Sequence, residues 1–180
     1  MRNPASADDA AIAHVKRSAR DELAAEPGID GSAGSDSCFI MNFARLAPVS
    51  HPLAQAADAV RGIAGSQLPW IIGAGSGSLS DDGHLLVRIR GLILASHPSV
   101  PVSLRSTNPF PAFRIVVSCL GTGPAGAATI VNVSTGDFEA SASGDSDIDA
   151  RVNIPQPCRA PIVLVIGPSG TANWLAATGS

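Results

Sequence analysis

From Pro69 to Ser180 the chain is cut into short apolar runs by glycine, proline and aspartate. No stretch there has the length and 3.6-residue period of a helix. Such a chain specifies a sandwich or a barrel. Trp70-Ile71-Ile72 and Gly75 to Leu79 read as a first, glycine-rich strand. Asp81-Asp82-Gly83 is a strong hairpin turn. From His84 the next strand alternates, with Leu85, Val87 and Ile89 facing one way and Leu86, Arg88 and Arg90 the other. It continues through Leu92-Ile93-Leu94 to Ala95.

Residues 96–111 hold Pro98, Pro101, Pro109 and Pro111, which exclude regular structure. Phe113, Ile115, Val117 and Cys119 then form an inward-facing row. Thr129 to Ser134 and Phe138 to Ser143 make the next pair of strands. Ile148, Ala150, Val152 and Ile154 alternate against Asp147, Asp149, Arg151 and Asn153. Ile162 to Ile166 is solidly apolar, as a strand covered on both faces would be, and a last strand lies around Trp174 and Leu175. The reading is mainly β: an antiparallel β-sandwich over residues 68–180, with a closed barrel as second choice.

The N-terminal part, residues 1–67, reads as a helical arm with linker. A helix is expected over about 6–26, opened by Ser6 with Asp9 and stopped by Pro27-Gly28. Its stripe of Ile12, Val15, Ala19 and Leu23 is too narrow to hold it undocked. A second helix is expected over about 51–64, with Leu53, Ala57, Val60 and Ile63 as its apolar face. Between them, after a linker of Gly, Ser and Asp, lies the apolar segment 38–46. Phe39, Ile40, Met41, Phe43 and Leu46 there suit a strand, or an extended arm able to complete a neighbour's sheet.

Charged residues make up only 15% of the chain against 45% apolar, so the surface is thinly charged. That suits a protein covered by partners or by copies of itself, and it also suits a secreted β protein. A net charge of −3 sets aside nucleic acid and anionic membranes as main partners, and no apolar run is long enough to span a bilayer. The opening residues, with Asp8 and Asp9, lack the apolar core of a signal peptide.

Cys38, Cys119 and Cys158 form no C-x-x-C pair, so zinc chemistry has no support. Two readings stand for Cys119 and Cys158. One is a disulfide closing a loop of about 40 residues, worth roughly 3–4 kcal/mol; the other is two small buried thiols. A bridge would favour an extracellular or cell-surface location and leave Cys38 over.

Gly121-Thr-Gly123-Pro-Ala-Gly126 fits G-x-G-x-x-G, but Pro124 and the β-branched residues that follow deny it the helix a pyrophosphate needs. Asp145, Asp147 and Asp149 resemble the opening of a calcium loop. Ala150 replaces its glycine and Gln156 its closing glutamate, so a solvated row of acids is the rival reading. Gly75-Ser-Gly77 and Pro168-Ser169-Gly170 are too generic for a nucleophile elbow. His14, His51, His84 and His97 lack ligand spacing, and Asp137 and Glu139 carry no sign of burial. No cofactor is expected apart from the calcium candidates. Asn132-Val-Ser134 is a glycosylation sequon inside a strand and carries no weight.

The spacing of Pro69-Trp70, Gly91-Leu92 and the two cysteine strands resembles small β-rich bacterial proteins of the exported kind. The resemblance covers residues 69–179 and implies a β fold without an activity.

The expectation is a non-catalytic, structural, self-assembling β-sandwich, not an enzyme. Its arm would join subunits in a ring or filament, so that its partner is itself. The alternative is a calcium- or carbohydrate-binding cell-surface domain, using loop 96–111 and the acids near Asp147. A hydrolase is third.

Overall fold

The computed structural model describes residues 37–50 and 59–178, and Ser37–Ser180 forms one unit by its own contacts. The helix expected over 6–26 lies outside the described residues, as does residues 51–58 of the second. Among the described residues there is no α-helix, and so none long and apolar enough to cross a membrane.

The strands run β1 (Phe39–Phe43), β2 (Ala47–Pro48), β3 (Trp70–Ile71), β4 (Ala74–Ser80), β5 (His84–Arg90) and β6 (Ile93–Leu94). They continue with β7 (Ala112–Thr122), β8 (Ala128–Ser134), β9 (Phe138–Glu139), β10 (Ser146–Arg151), β11 (Arg159–Ile166) and β12 (Trp174–Ala177). All pairings between them are antiparallel. One sheet has the order β1-β4-β5-β10. The other has the order β2-β12-β11-β7-β8, with β9 also on β7, and β3 pairs β6 as a short ribbon. These sheets are open, so the fold is mainly β and antiparallel and no sheet closes into the barrel held as second choice.

The inward rows of the two larger sheets belong to one core. Leu79, Leu85, Ile89, Phe113, Ile115, Val117, Val163, Leu164 and Val165 are fully buried in it. On β5 the alternation places Leu85, Val87 and Ile89 inside and Leu86 and Arg88 outside. Strand β11 sits between β12 and β7, and Val163 to Ile166 are buried in unbroken succession, as a strand covered on both faces requires.

Two expectations about the N-terminal part are revised. Phe39 to Phe43 is not an arm held away from its own domain: it is β1, paired along β4. The glycines of β4 explain why it folds back. A Cβ on Gly77 would sit 2.6 Å from the Phe43 ring, and one on Gly75 would sit 2.7 Å from the Leu46 side chain. The lane without side chains on β4 is filled by Phe43 and Leu46. Leu46 is buried, and Val49 behind it is fully enclosed. The β unit therefore begins at Ser37 rather than at residue 68.

Residues 59–64 are not the end of a helix either. Val60 and Ile63 exchange both backbone hydrogen bonds, at 2.9 and 3.0 Å, across a turn in which Arg61 and Gly62 both have positive φ. Gly62, which weakens a helix, is what a type I′ turn asks for.

The single long strand expected from His84 to Ala95 is broken at Gly91. Its φ is +67°, and a Cβ there would come 3.3 Å from the Gly73 nitrogen. Gly73 donates to Arg90 O at 3.0 Å, so the hairpin bends on two facing glycines and its far half leaves as the β3–β6 ribbon. The loop 96–111 contains one 3-10 turn, Val102–Leu104. Its Asn108 is buried, with its amide nitrogen bonded to Phe110 O and Ser141 O.

Candidate functional site

The densest set of polar groups lies on the outer face of the first sheet, and strand geometry puts it there. Register pairs Arg88 with Asp147, Leu86 with Asp149 and His84 with Arg151. Alternation then turns these side chains to solvent while Val87 and Ile148 point inward. Arg90 grips both oxygens of Asp147 at 2.8 Å, and Arg88 Nε adds a third contact at 3.3 Å. His84 Nε2 lies 2.8 Å from Asp149 Oδ1, and Arg151 donates to Asp82 at 2.6 Å. Between these rows runs a shallow groove of about 320 Å³ lined by Ser76, Gly77, Leu86, Arg88, Asp147 and Asp149.

The structure places the three calcium candidates in different employments. Asp145 accepts from the Gly91 N–H and from the Ser143 hydroxyl, both at 2.8 Å, fastening the bend at Gly91. Asp147 is clasped by two arginines and Asp149 faces His84. Among the described residues, no three His, Cys, Asp or Glu side chains are grouped as a metal ion requires.

A second polar cluster ties Arg114, Asp137 and Ser169. Arg114 Nε donates to Asp137 Oδ1 at 3.0 Å, and the Ser169 hydroxyl donates to Asp137 Oδ2 at 2.9 Å. Arg114 also reaches the Ser169 hydroxyl. Among the described residues, the hydrogen-bond partners of this hydroxyl are the Asp137 carboxylate and the Arg114 guanidinium. The cluster clamps the turn after β11 to the loop between β8 and β9. Glu139, the other carboxylate considered for hydrolysis, gives its backbone oxygen to the Ser146 hydroxyl.

Cys119 and Cys158 are joined by a disulfide, and Cys38 is an exposed thiol outside it. Of the former arm residues, Phe39 is 63% exposed at the start of β1, whereas Ile40, Met41 and Phe43 pack against the core. Missing from the sequence reading was Ile130, which stands half exposed on β8. The available signal was that Ala128 to Ser134 carries no charge at all.

Four carboxyls titrate below the usual carboxylate range. Asp82 is lowered by its hydrogen bond from Arg151, Asp137 by that from Ser169, Asp145 by that from Ser143 and Asp147 by that from Arg90. A folded-state pKa below the unfolded one means that the unfolded chain takes up protons first. Their stabilisation is therefore complete above the unfolded value and disappears as pH falls through the folded ones. The melting temperature is expected to be flat from about pH 5 to 8 and to fall below about pH 4. Added salt should weaken the share owed to the exposed arginine pairs. Melts recorded against pH check this, and a melting temperature that rises on acidification would contradict it. The comparisons with known proteins add no name to this geometry: no family model, curated protein or solved structure matches the chain.

Proposed function

We propose that this chain is a non-catalytic β-sandwich, its two larger sheets packed face to face, that works by associating with copies of itself. The observation that carries the reading is a pair of open sheets on a chain with only 15% charged residues. Open sheets end in strands whose outer backbone groups lack a ladder partner, and charge is the usual means of keeping such edges apart. On the outer face of the first sheet, Arg88, Arg90 and Arg151 are taken up in ion pairs with Asp147 and Asp82, which supports a structural use of that face. Because Phe39 to Phe43 lies on its own sheet, the reading places subunit contacts at sheet edges and not at a separate arm.

Light scattering coupled to size-exclusion chromatography tests this over a hundredfold range of concentration. Species larger than the 18.2 kDa chain, growing with concentration, are expected. A strict monomer stabilised by calcium or by an oligosaccharide would replace the reading with that of a ligand-binding domain.

A further inference from the structure

The four ends of the two larger sheets are not alike. The β10 end carries Asp147, Asp149 and Arg151. The β2 end is two residues long and includes Pro48, which has no N–H to offer. The β1 end is irregular, its register shifting between Phe39 and Met41. Charge, proline, shortness and a bulge are the devices by which sheet edges are kept from pairing. Strand β8 has none of them. Its seven residues, Ala-Thr-Ile-Val-Asn-Val-Ser, are regular in register from Ala128 to Ser134 and contain no charge and no proline. Among the described residues they pair with β7 on one side only.

We infer that the outer edge of β8 is where a second copy of this chain adds, antiparallel, across a twofold axis at Val131. The inference rests on the self-association reading and specifies its contact. A twofold contact sets each residue against its mirror partner, so a charged strand would confront its own charges. This strand confronts none. With the axis at Val131, Ile130 of each copy lies opposite Asn132 of the other and Thr129 opposite Val133, with the sheet running continuously through both subunits. The apolar Ile130 side chain, half exposed in the single chain, gains a neighbour. Seven paired residues make an interface at the small end of specific contacts, below about 1,200 Å², so dimerisation at micromolar and higher concentrations is expected.

The test uses the full chain in sedimentation velocity, comparing wild type with Ile130→Lys, and with Leu86→Lys on the first sheet as control. Ile130→Lys puts a charge on an exposed position, so the fold should survive, which circular dichroism and a melt verify. It should weaken dimerisation at least tenfold, while Leu86→Lys leaves it unchanged. A second measurement mixes Ile130→Cys and Asn132→Cys chains, both carrying Cys38→Ser, under mild oxidation. A covalent dimer should form in the mixture well above either chain alone. A wild-type monomer at every concentration overturns this inference and the self-association reading together. Dimers that neither Ile130→Lys weakens nor the cysteine pair traps overturn the β8 edge alone and leave self-association standing.

Discussion

Replacing Gly83 by alanine should cost the β unit about 3 kcal/mol or more and lower its melting temperature by roughly 10 °C. Gly83 closes the β4–β5 hairpin, donating to Ser80 O at 3.0 Å, with a φ of +81°. That conformation alone costs an ordinary residue about 1 kcal/mol or more. The larger part comes from space. A Cβ at this position would lie 2.0 Å from the Val152 carbonyl oxygen, a backbone atom that cannot swing aside. The same carbonyl belongs to a residue whose N–H is bound to Gly83 O at 2.9 Å. Relief of the clash therefore means pulling the chain after β10 off the hairpin and exposing Val152 and Ile154, both buried. Two other glycines separate the causes. Gly126 has a φ of +79° and open space around it, so its alanine variant should show the conformational penalty only, about 1 kcal/mol. Gly136 has open space too but no positive φ, and its variant should be close to neutral. Melts of the three variants check the ranking. Equal losses at positions 83 and 126 would show that the contact with Val152 yields easily.

Much of the strand content was legible because period and punctuation act locally. The alternation from Leu85 to Arg90 and the Asp-Asp-Gly turn need only adjacent residues to be understood, and the structure has β5 and its hairpin there. What was not legible depends on residues that meet from far apart. The glycines of Ala74-Gly75-Ser76-Gly77 looked like a weak strand by themselves. Their meaning is the space they leave for Leu46 and Phe43, residues that in isolation read as an unsupported apolar arm. Gly73 and Gly91 each look like a flaw in a strand, and only when set opposite each other do they become a bend. Arg61-Gly62 was read as the fading end of a helix because Val60 and Ile63 fit helical spacing. Three residues apart is also the spacing across a two-residue turn, and periodicity cannot separate the two over so short a span. The acids of the candidate site follow the same rule. Asp145, Asp147 and Asp149 were visible as a group, but Gly91, which donates to Asp145, the arginines Arg90 and Arg88 that clasp Asp147, and His84, which faces Asp149, lie more than fifty residues earlier and arrive only through the β5–β10 register.

Removing the disulfide should bring a loss of similar or greater size. Cys119 is fully buried on β7 and Cys158 stands immediately before β11, with a sequence separation of 39. On the chain-entropy account, a crosslink closing a loop of that length stabilises by about 4 kcal/mol, against a total of about 5–15 kcal/mol for an ordinary domain. The closed loop contains β8, β9 and β10, so the bond shortens the search by which strands of both sheets find their places. β7 and β11 also pair directly, with Leu120 opposite Arg159 at that end, and this pairing survives the loss of the bond. The Cys119→Ala, Cys158→Ala double variant should therefore still fold, with its denaturation midpoint lowered and its dependence on denaturant somewhat steeper, because the unfolded chain without the crosslink exposes more surface. Cys38→Ser, which leaves the bridge in place, should not shift the midpoint. Reductant should act slowly on the native protein, because Cys119 is enclosed, and quickly once denaturant opens the core. If the double variant matches wild type within about 1 kcal/mol, the core contacts of β7 with β11 hold that end without the covalent bond. The case for an oxidising compartment, which depends on the fold needing the bridge, then loses its physical ground.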